Sequence, residues 1–358
     1  MKTVFHLITT INRGGAENQL LILVKEQVEK GLDVHIVFLK GEPELGSEFE
    51  KAGALVHSEL AHVSPLFQPV KFRKIIKGSD VIVHAHLPRA ELVALLTFSR
   101  FKFFASRHNS EPFFPSAPKI LSTLLSRLVE LRSKKIIAIS NAVKDFLVTS
   151  GEIANQKNIE VIRYGYRLQC KGALLNNSND GSILKLGTIS RLTHQKDLPT
   201  MLLTFKEYKT KFPESSLTIL GAGPLESELK QFAKTLGISA SVQFLGRSSQ
   251  IFDFLGKLDA FILTSKYEGF GMVLLEAMDA GVPIIASDNS AIPEVLGNDF
   301  PGLCPTGDYM NFAEKITKLN NAEYREFVLR KQEYQLKFFD AESMAAKILE
   351  IYVSSTHE

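Results

Sequence analysis

Along the chain, short apolar runs alternate with longer stretches in which apolar residues return every third or fourth position. Residues 4–8, 34–39, 81–84, 103–106 and 136–139 form a first set of runs, and stretches such as 18–30, 90–98 and 119–132 carry the helical period between them. Runs this continuously apolar suit strands covered on both faces, so the pattern predicts a parallel sheet with helices on each side. A second set follows at 184–188, 216–220, 242–245, 260–263 and 283–286. Between the sets, 171–182 (KGALLNNSNDGS) is polar and rich in small residues, which predicts a linker. The tail from Ala322 is helical in period, with Asp340 placed to cap a helix over 344–352. The expected organisation is therefore two α/β domains, 1–167 and 183–335, followed by a C-terminal helix, 336–358, that packs back towards the first domain. At 358 residues each domain has enough chain for its own core.

Composition changes this picture in a few places only. Charged residues at 23% and apolar residues at 45% describe an ordinary globular chain, and no apolar run approaches the ~20 residues that span a bilayer. The N-terminus enters directly on a strand-like run, without the regions of a secretory signal. Two cysteines, Cys170 and Cys304, are too few for a disulfide framework or a zinc site, and a cytoplasmic location follows. The net charge of +3 conceals an asymmetry: Ala61 to Cys170 holds 17 Lys+Arg against 7 Asp+Glu, and the remainder holds 25 against 32. In VKFRKIIK (70–77) and FKFF (101–104), phenylalanines interleave with the bases. That suits either a solvated face over a core or an amphipathic element on an anionic membrane surface. No nucleic-acid reading motif accompanies the charge, so a nucleic-acid partner is not expected.

In open parallel sheets, ligands bind beyond the carboxyl ends of the strands, and the unusual stretches of this sequence lie there. Gly14 and Gly15 follow the first strand and would let a phosphate approach the backbone at a helix start, or simply form a tight turn. Gly221 and Gly223 follow another strand, but Glu226 stands where a dinucleotide fingerprint needs a third glycine, so nicotinamide binding is unsupported. Arg191 and Lys196 lie in SRLTHQKD after the strand at 184–188; together they could hold a diphosphate and stabilise charge on a departing phosphate. The run YEGFGMVLLEA places Glu268 and Glu276 eight residues apart. On one helix that step turns by about 80°, so the carboxylates would not share a face. The glycines favour a loop through Gly271 and a helix from Met272, with Glu268 in the loop and Glu276 early in the helix, able to accept from sugar hydroxyls. The rival reading is a hydrolase acid/base pair.

Taken in order, these stretches resemble the retaining glycosyltransferases of family 4, the group 1 glycosyltransferases, whose E-x7-E element matches Glu268 to Glu276. Ile139-Ser140-Asn141-Ala142-Val143, Phe244-Leu245-Gly246, Ala280-Gly281-Val282-Pro283 and Ile292-Pro293-Glu294 extend the resemblance over nearly the whole chain. Where many members carry Asn-Gly-Ile/Val-Asp before the linker, this sequence has Arg163-Tyr164-Gly165-Tyr166-Arg167. The resemblance implies a GT-B fold, two Rossmann-like domains facing each other across a cleft. It also implies that Arg191 and Lys196 hold the donor diphosphate, that Glu276 binds the ribose, and that Glu268 with the amides of Phe270, Gly271 and Met272 holds the transferred sugar. Val273 and Leu274 complete that donor-binding run, Gly14 and Gly15 approach the diphosphate, and His108 stands near the reacting sugar. Arg247 and Ser248 are candidates for the nucleobase, with uracil preferred.

The expected partners are a nucleotide-sugar donor and a glycan or lipid-linked acceptor, with an anionic membrane surface as a further candidate and no cofactor or metal. No carboxylate–histidine cluster has metal-ligand spacing, and His84 and His86 read as core or cleft lining. A sugar-nucleotide epimerase of the same architecture and a non-catalytic membrane-associated scaffold remain as alternatives.

Overall fold

Among the described residues, thirteen short strand segments form two parallel sheets. The computed structural model describes residues 2–76, 81–170 and 185–354; the expected linker at 171–182, together with Lys77 and Leu184, lies outside them. The chain divides into two units, Met1–Arg167 with Phe339–Glu358, and Leu168–Phe338.

The first unit holds β1 (Thr3–Ile8), β2 (Asp33–Phe38), β3 (Leu55–His57), β4 (Val81–His86), β5 (Lys102–Arg107), β6 (Lys135–Ala138) and β7 (Ile159–Val161) in the order β3-β2-β1-β4-β5-β6-β7. The second holds β8 (Lys185–Ile189), β9 (Ser216–Leu220), β10 (Val242–Gly246), β11 (Ala260–Leu263), β12 (Ile284–Ser287) and β13 (Leu303–Cys304) in the order β10-β9-β8-β11-β12-β13. The described pairings are parallel. The central strands are the apolar runs read from sequence, because burial on both faces favours apolar side chains at most positions, the buried His6, His84 and His86 being exceptions. The edge strands β3, β7 and β13 are only two or three residues long and escape a periodicity argument.

Each sheet has one place where the direction of winding reverses: between β1 and β4 in the first unit, and between β8 and β11 in the second. Connections leaving a pair of strands in opposite directions part the helix starts above them, and the crevice so formed is where doubly wound sheets take ligands.

The C-terminal helix Ala341–Ser354 belongs to the first unit and packs on the helix Gly15–Glu29. Met344, Ala345, Ile348 and Tyr352 join Leu20, Leu23 and Val24 in its core. Asp340 accepts from the Ser343 amide at 2.7 Å, the bond a capping residue makes. Arg167 binds Glu26 and Glu29 at 2.7 Å each. Of the two readings of the basic, phenylalanine-bearing stretches, the solvated face over a core is the one that burial matches. Phe72, Phe103 and Phe104 are fully buried, so they do not accompany their neighbouring bases to a surface; they are core residues of a helix and a strand whose polar neighbours point outward.

Candidate functional site

In the second unit, β8 and β11 bring their following loops together at the point of reversal. Lys196 Nζ lies 2.5 Å from Glu268 Oε1, although the two residues are 72 positions apart. Ser265 Oγ donates to the same oxygen at 2.7 Å. Both members of the ion pair are mostly buried, with side-chain exposures of 12% and 7%.

The surrounding backbone holds this pair in place. Thr264 Oγ1 donates to the carbonyls of Lys196 and Asp197, each at 3.0 Å. The Lys266 amide donates to Gln195 O at 2.8 Å, and Gln195 Nε2 donates to Tyr267 O at 2.9 Å. Arg191 Nη2 donates to Gln195 Oε1 at 3.0 Å, tying an otherwise exposed guanidinium to the same assembly. Ser290, at φ 55°, donates its hydroxyl to Glu268 O at 2.8 Å. Thus Arg191, Lys196 and Glu268 form one charged group around Gln195 and Ser265. Neither of those two drew notice in the sequence, since a glutamine and a serine in loops carry no periodic or motif signal.

Gly271, at φ 91°, caps the helix Met272–Asp279, the left-handed turn that glycine permits. Phe270 is buried, while Met272 and Val273 lie at the partly exposed helix start. Leu274 differs from the expectation for a ligand contact: its side chain is fully buried and its amide already donates to Gly271 O at 2.8 Å. Glu276 sits one turn further on, largely surrounded by protein, with no hydrogen-bond or ion-pair partner among the described residues. Burial pushes its carboxyl up to about 7, so the site favours an uncharged acid until something donates to it.

Gly221 and Gly223 have a structural reason to be glycine. Gly221 has φ 138°, and a Cβ there would lie 1.9 Å from Ser190 O; at Gly223 it would lie 2.4 Å from Leu192 O. The Leu192 amide donates to Ala222 O, and the Leu225 amide to Leu192 O, both at 3.1 Å. These glycines let the loop after β9 lie directly against the Arg191 loop. Gly223→Ala should therefore lower stability by about 3 kcal/mol, the upper part of the usual range for point substitutions, as measured by urea unfolding. Arg247 and Ser248 follow the edge strand β10 and are exposed. Among the described residues, no hydrogen bond or ion pair connects them to the Arg191–Lys196–Glu268 group.

In the first unit the helix Gly15–Glu29 begins beside the β1–β4 reversal. A Cβ at Gly14 would meet Glu17 Oε2 at 2.5 Å, the movable end of a side chain, whereas at Gly15 it would meet nothing within 4 Å. Among the described residues, no atom stands in the way of a Cβ at position 15.

His108 follows β5 and ends a row of imidazoles. Gln27 Oε1 lies 2.7 Å from His6 Nε2, His6 Nδ1 lies 3.0 Å from His86 Nε2, His86 Nδ1 lies 3.1 Å from His108 Nε2, and His108 Nδ1 meets the Tyr164 hydroxyl. With the carbonyl oxygen of Gln27 towards His6, each ring in turn donates from Nε2 and accepts at Nδ1, and Tyr164 donates into the end of the row. Burial lowers His6 to about 4, lowers His86 well below the usual value, and with the nearby Arg107 charge lowers His108 to about 3. The rings are therefore neutral, as the alternating donors require.

His84 stands beside the row, bonded to Tyr352 at 2.6 Å and Ser106 at 2.7 Å. His6, His84 and His86 offer ring nitrogens within 4.8 Å of one another, a trio that sequence spacing did not reveal. The register that pairs His6 with His84 across β1 and β4 creates it. Every ring nitrogen of these histidines and of His108 already has a protein partner, so the group is closed as a hydrogen-bond network. A cavity of about 20 Å³ beside His86, His108 and Tyr164 holds about one water and is far below the ~300 Å³ of a small-molecule pocket. Among the described residues no helix is long and apolar enough to cross a membrane.

Comparison with known proteins agrees with this architecture. Residues 13–169 match the family Glycosyltransferase Family 4, and residues 177–335 match Glycosyl transferases group 1. The chain is similar to the capsular polysaccharide biosynthesis glycosyltransferase CapM of Staphylococcus aureus, 26% identical over 353 residues covering 89% of this chain and 88% of that protein. CapH of the same organism, also a capsular polysaccharide biosynthesis glycosyltransferase, is 24% identical over 371 residues, covering 99% and 100%. Among solved structures, that of Anabaena Alr3699/HepE in complex with UDP and glucose superposes with a TM-score of 0.83 at 19% identity, covering 99% of this chain and 100% of that one; at that identity the likeness concerns the fold. With two family matches lying end to end along it and relatives aligned over nearly its full length, this chain belongs to the family 4, group 1 glycosyltransferases and has their GT-B-like α/β fold.

Proposed function

We propose that this transferase moves a hexose-type sugar, with retention of configuration, from a UDP-linked donor to a hydroxyl of a glycan or lipid-linked acceptor. The setting we infer is assembly of a bacterial envelope polysaccharide, capsular or lipopolysaccharide. The observation that carries the reading is the Arg191–Lys196–Glu268 group at the β8–β11 reversal: two cations and a carboxylate held by side-chain hydrogen bonds where doubly wound sheets take ligands. CapM and CapH act in capsular polysaccharide biosynthesis, and the HepE structure holds UDP and glucose; both support the reading.

In this mechanism Arg191 and Lys196 neutralise the charge that grows on the β-phosphate as the bond to the anomeric carbon breaks. The acceptor oxygen attacks from the face the phosphate leaves, and its proton passes to the departing phosphate oxygen. Glu268 contacts the sugar, and Glu276 accepts from the ribose hydroxyls. Cationic side chains perform the neutralisation a metal would otherwise supply, so neither a metal nor another cofactor enters the scheme. Gly15 at the helix start of the first unit, where a side chain would meet no protein atom within 4 Å, is a further candidate for a donor contact, and Arg247 with Ser248 are candidates for the base. His108 is the acceptor-side residue; because Tyr164 and His86 occupy both its nitrogens, it must release one of those bonds to touch a substrate.

A thermal-shift panel of UDP-, GDP- and ADP-sugars tests the donor assignment. A UDP-sugar at 100 times its Kd should stabilise the protein by about 2.7 kcal/mol, and no shift with any nucleotide would remove the proposal. Conversion of a UDP-sugar into its epimer with no acceptor present would select the epimerase instead.

A further inference from the structure

We propose that the first unit docks on an anionic lipid bilayer through the helix Lys119–Arg132 and the adjoining edges at 66–74 and 96–102. The helix is turned inside out. Ile120, Leu124, Leu128 and Leu131 share one stripe and are exposed, Ile120 to 85% and Leu131 to 80%. Apart from Val129, its buried residues are polar. Ser122 Oγ accepts from the Phe114 amide at 3.0 Å, Ser126 Oγ accepts from Arg107 at 3.0 Å, and Glu130 accepts from the Ala154 and Asn155 amides at 2.9 and 2.7 Å. The inward face is therefore fixed by specific partners, and the helix cannot rotate its leucines into the core without abandoning them.

The stripe continues onto neighbouring segments. Arg132 reaches Ser99 O at 3.4 Å and lies over the Phe101 ring at 4.9 Å, which ties the end of this helix to the segment that carries Phe98, itself 82% exposed. Thr97 in turn donates to Pro69 O at 3.4 Å, next to the exposed Phe67 and Val70. A contiguous apolar surface of this kind marks an interaction site.

Charge decides between its possible occupants. Lys71, Arg73, Lys74, Arg100, Lys119 and Arg127 are exposed around the apolar residues, and Glu130, the one acidic residue in 66–76, 96–102 and 119–135, is buried. Two copies of this face would bring like charges together. A bilayer bearing phosphate headgroups accepts both features, taking the leucines at its acyl boundary and the bases at its surface. This surface is independent of the donor assignment, and its test involves no turnover.

The experiment is co-sedimentation of the full chain with phosphatidylcholine vesicles, with and without phosphatidylglycerol, at low and high salt. Wild type should bind the phosphatidylglycerol vesicles and release as salt rises. Leu124→Glu with Leu128→Glu should bind at least about tenfold more weakly, with an unchanged Tm because both side chains are exposed. Arg73→Glu with Lys74→Glu should weaken binding and flatten its salt dependence. Absence of wild-type binding at low salt overturns the proposal, as does undiminished binding of the leucine variant. A wild-type dimer that the leucine substitutions dissociate, with no vesicle binding, would assign the face to a second copy and likewise overturn it.

Discussion

Lys196→Ala should reduce sugar transfer by about 10²- to 10³-fold, the loss that follows removal of one preorganised group from a transition-state charge. The same substitution should cost about 3–5 kcal/mol of stability, because it leaves Glu268 as an unpaired carboxylate in a buried position. Loss of activity alone would therefore be ambiguous. The double variant Lys196→Met, Glu268→Gln separates the causes: with both charges gone, the urea midpoint should return most of the way to wild type while transfer remains abolished. Full activity in the single variant would show that Lys196 faces no developing charge. A double variant as unstable as the single one would show that the loss comes from the missing Lys196–Glu268 contact itself and not from an unpaired Glu268 charge.

Glu276→Gln should make the protein more stable above neutral pH and a poorer nucleotide binder. Burial pushes the folded carboxyl up to about 7, from the 4.5 of a free glutamate. Between those values the unfolded chain has released its proton and the folded chain still holds one. Stability contributed by this site consequently falls as pH rises from 4.5 towards 7 and is lowest above 7. A glutamine has no such proton to lose, so the difference between variant and wild type should grow through that window and reach about 1–3 kcal/mol at high pH. Taking the difference cancels the buried histidines, whose lowered values act in the opposite direction. UDP affinity should drop about 10- to 100-fold in the variant, the weight of hydrogen bonds to a charged acceptor. Identical pH dependence of unfolding in the two proteins would sink this account of Glu276. A carboxylate that costs stability until a ligand donates to it is how a binding site differs from a structural ion pair.

Much of the architecture was legible because its signals are local. The apolar runs of β1, β4, β8 and β11 follow from burial on two faces, and covalent order alone puts Gly15, His108, Arg191 and Glu268 just beyond strand ends. The short edge strands were not legible, since two or three residues make no period. Nor was the purpose of Gly221 and Gly223. As a G-x-G they resemble a phosphate loop, yet the atoms that exclude a side chain belong to Ser190 and Leu192.

By itself, then, the sequence determined the alternation of strand and helix, the division into two α/β halves and the residues that stand at the strand ends, because these depend on spacing along the chain. Only the tertiary structure decided which of them meet. Lys196 finds Glu268 because β8 and β11 are neighbours, and the histidines align because β1, β4 and β5 lie side by side in register. It also decided which face of the Lys119–Arg132 helix is hidden. Leucines at helical spacing ordinarily mark the inward side; here Arg107 and the amides of Phe114, Ala154 and Asn155 require oxygen acceptors within, and the leucines are left outside.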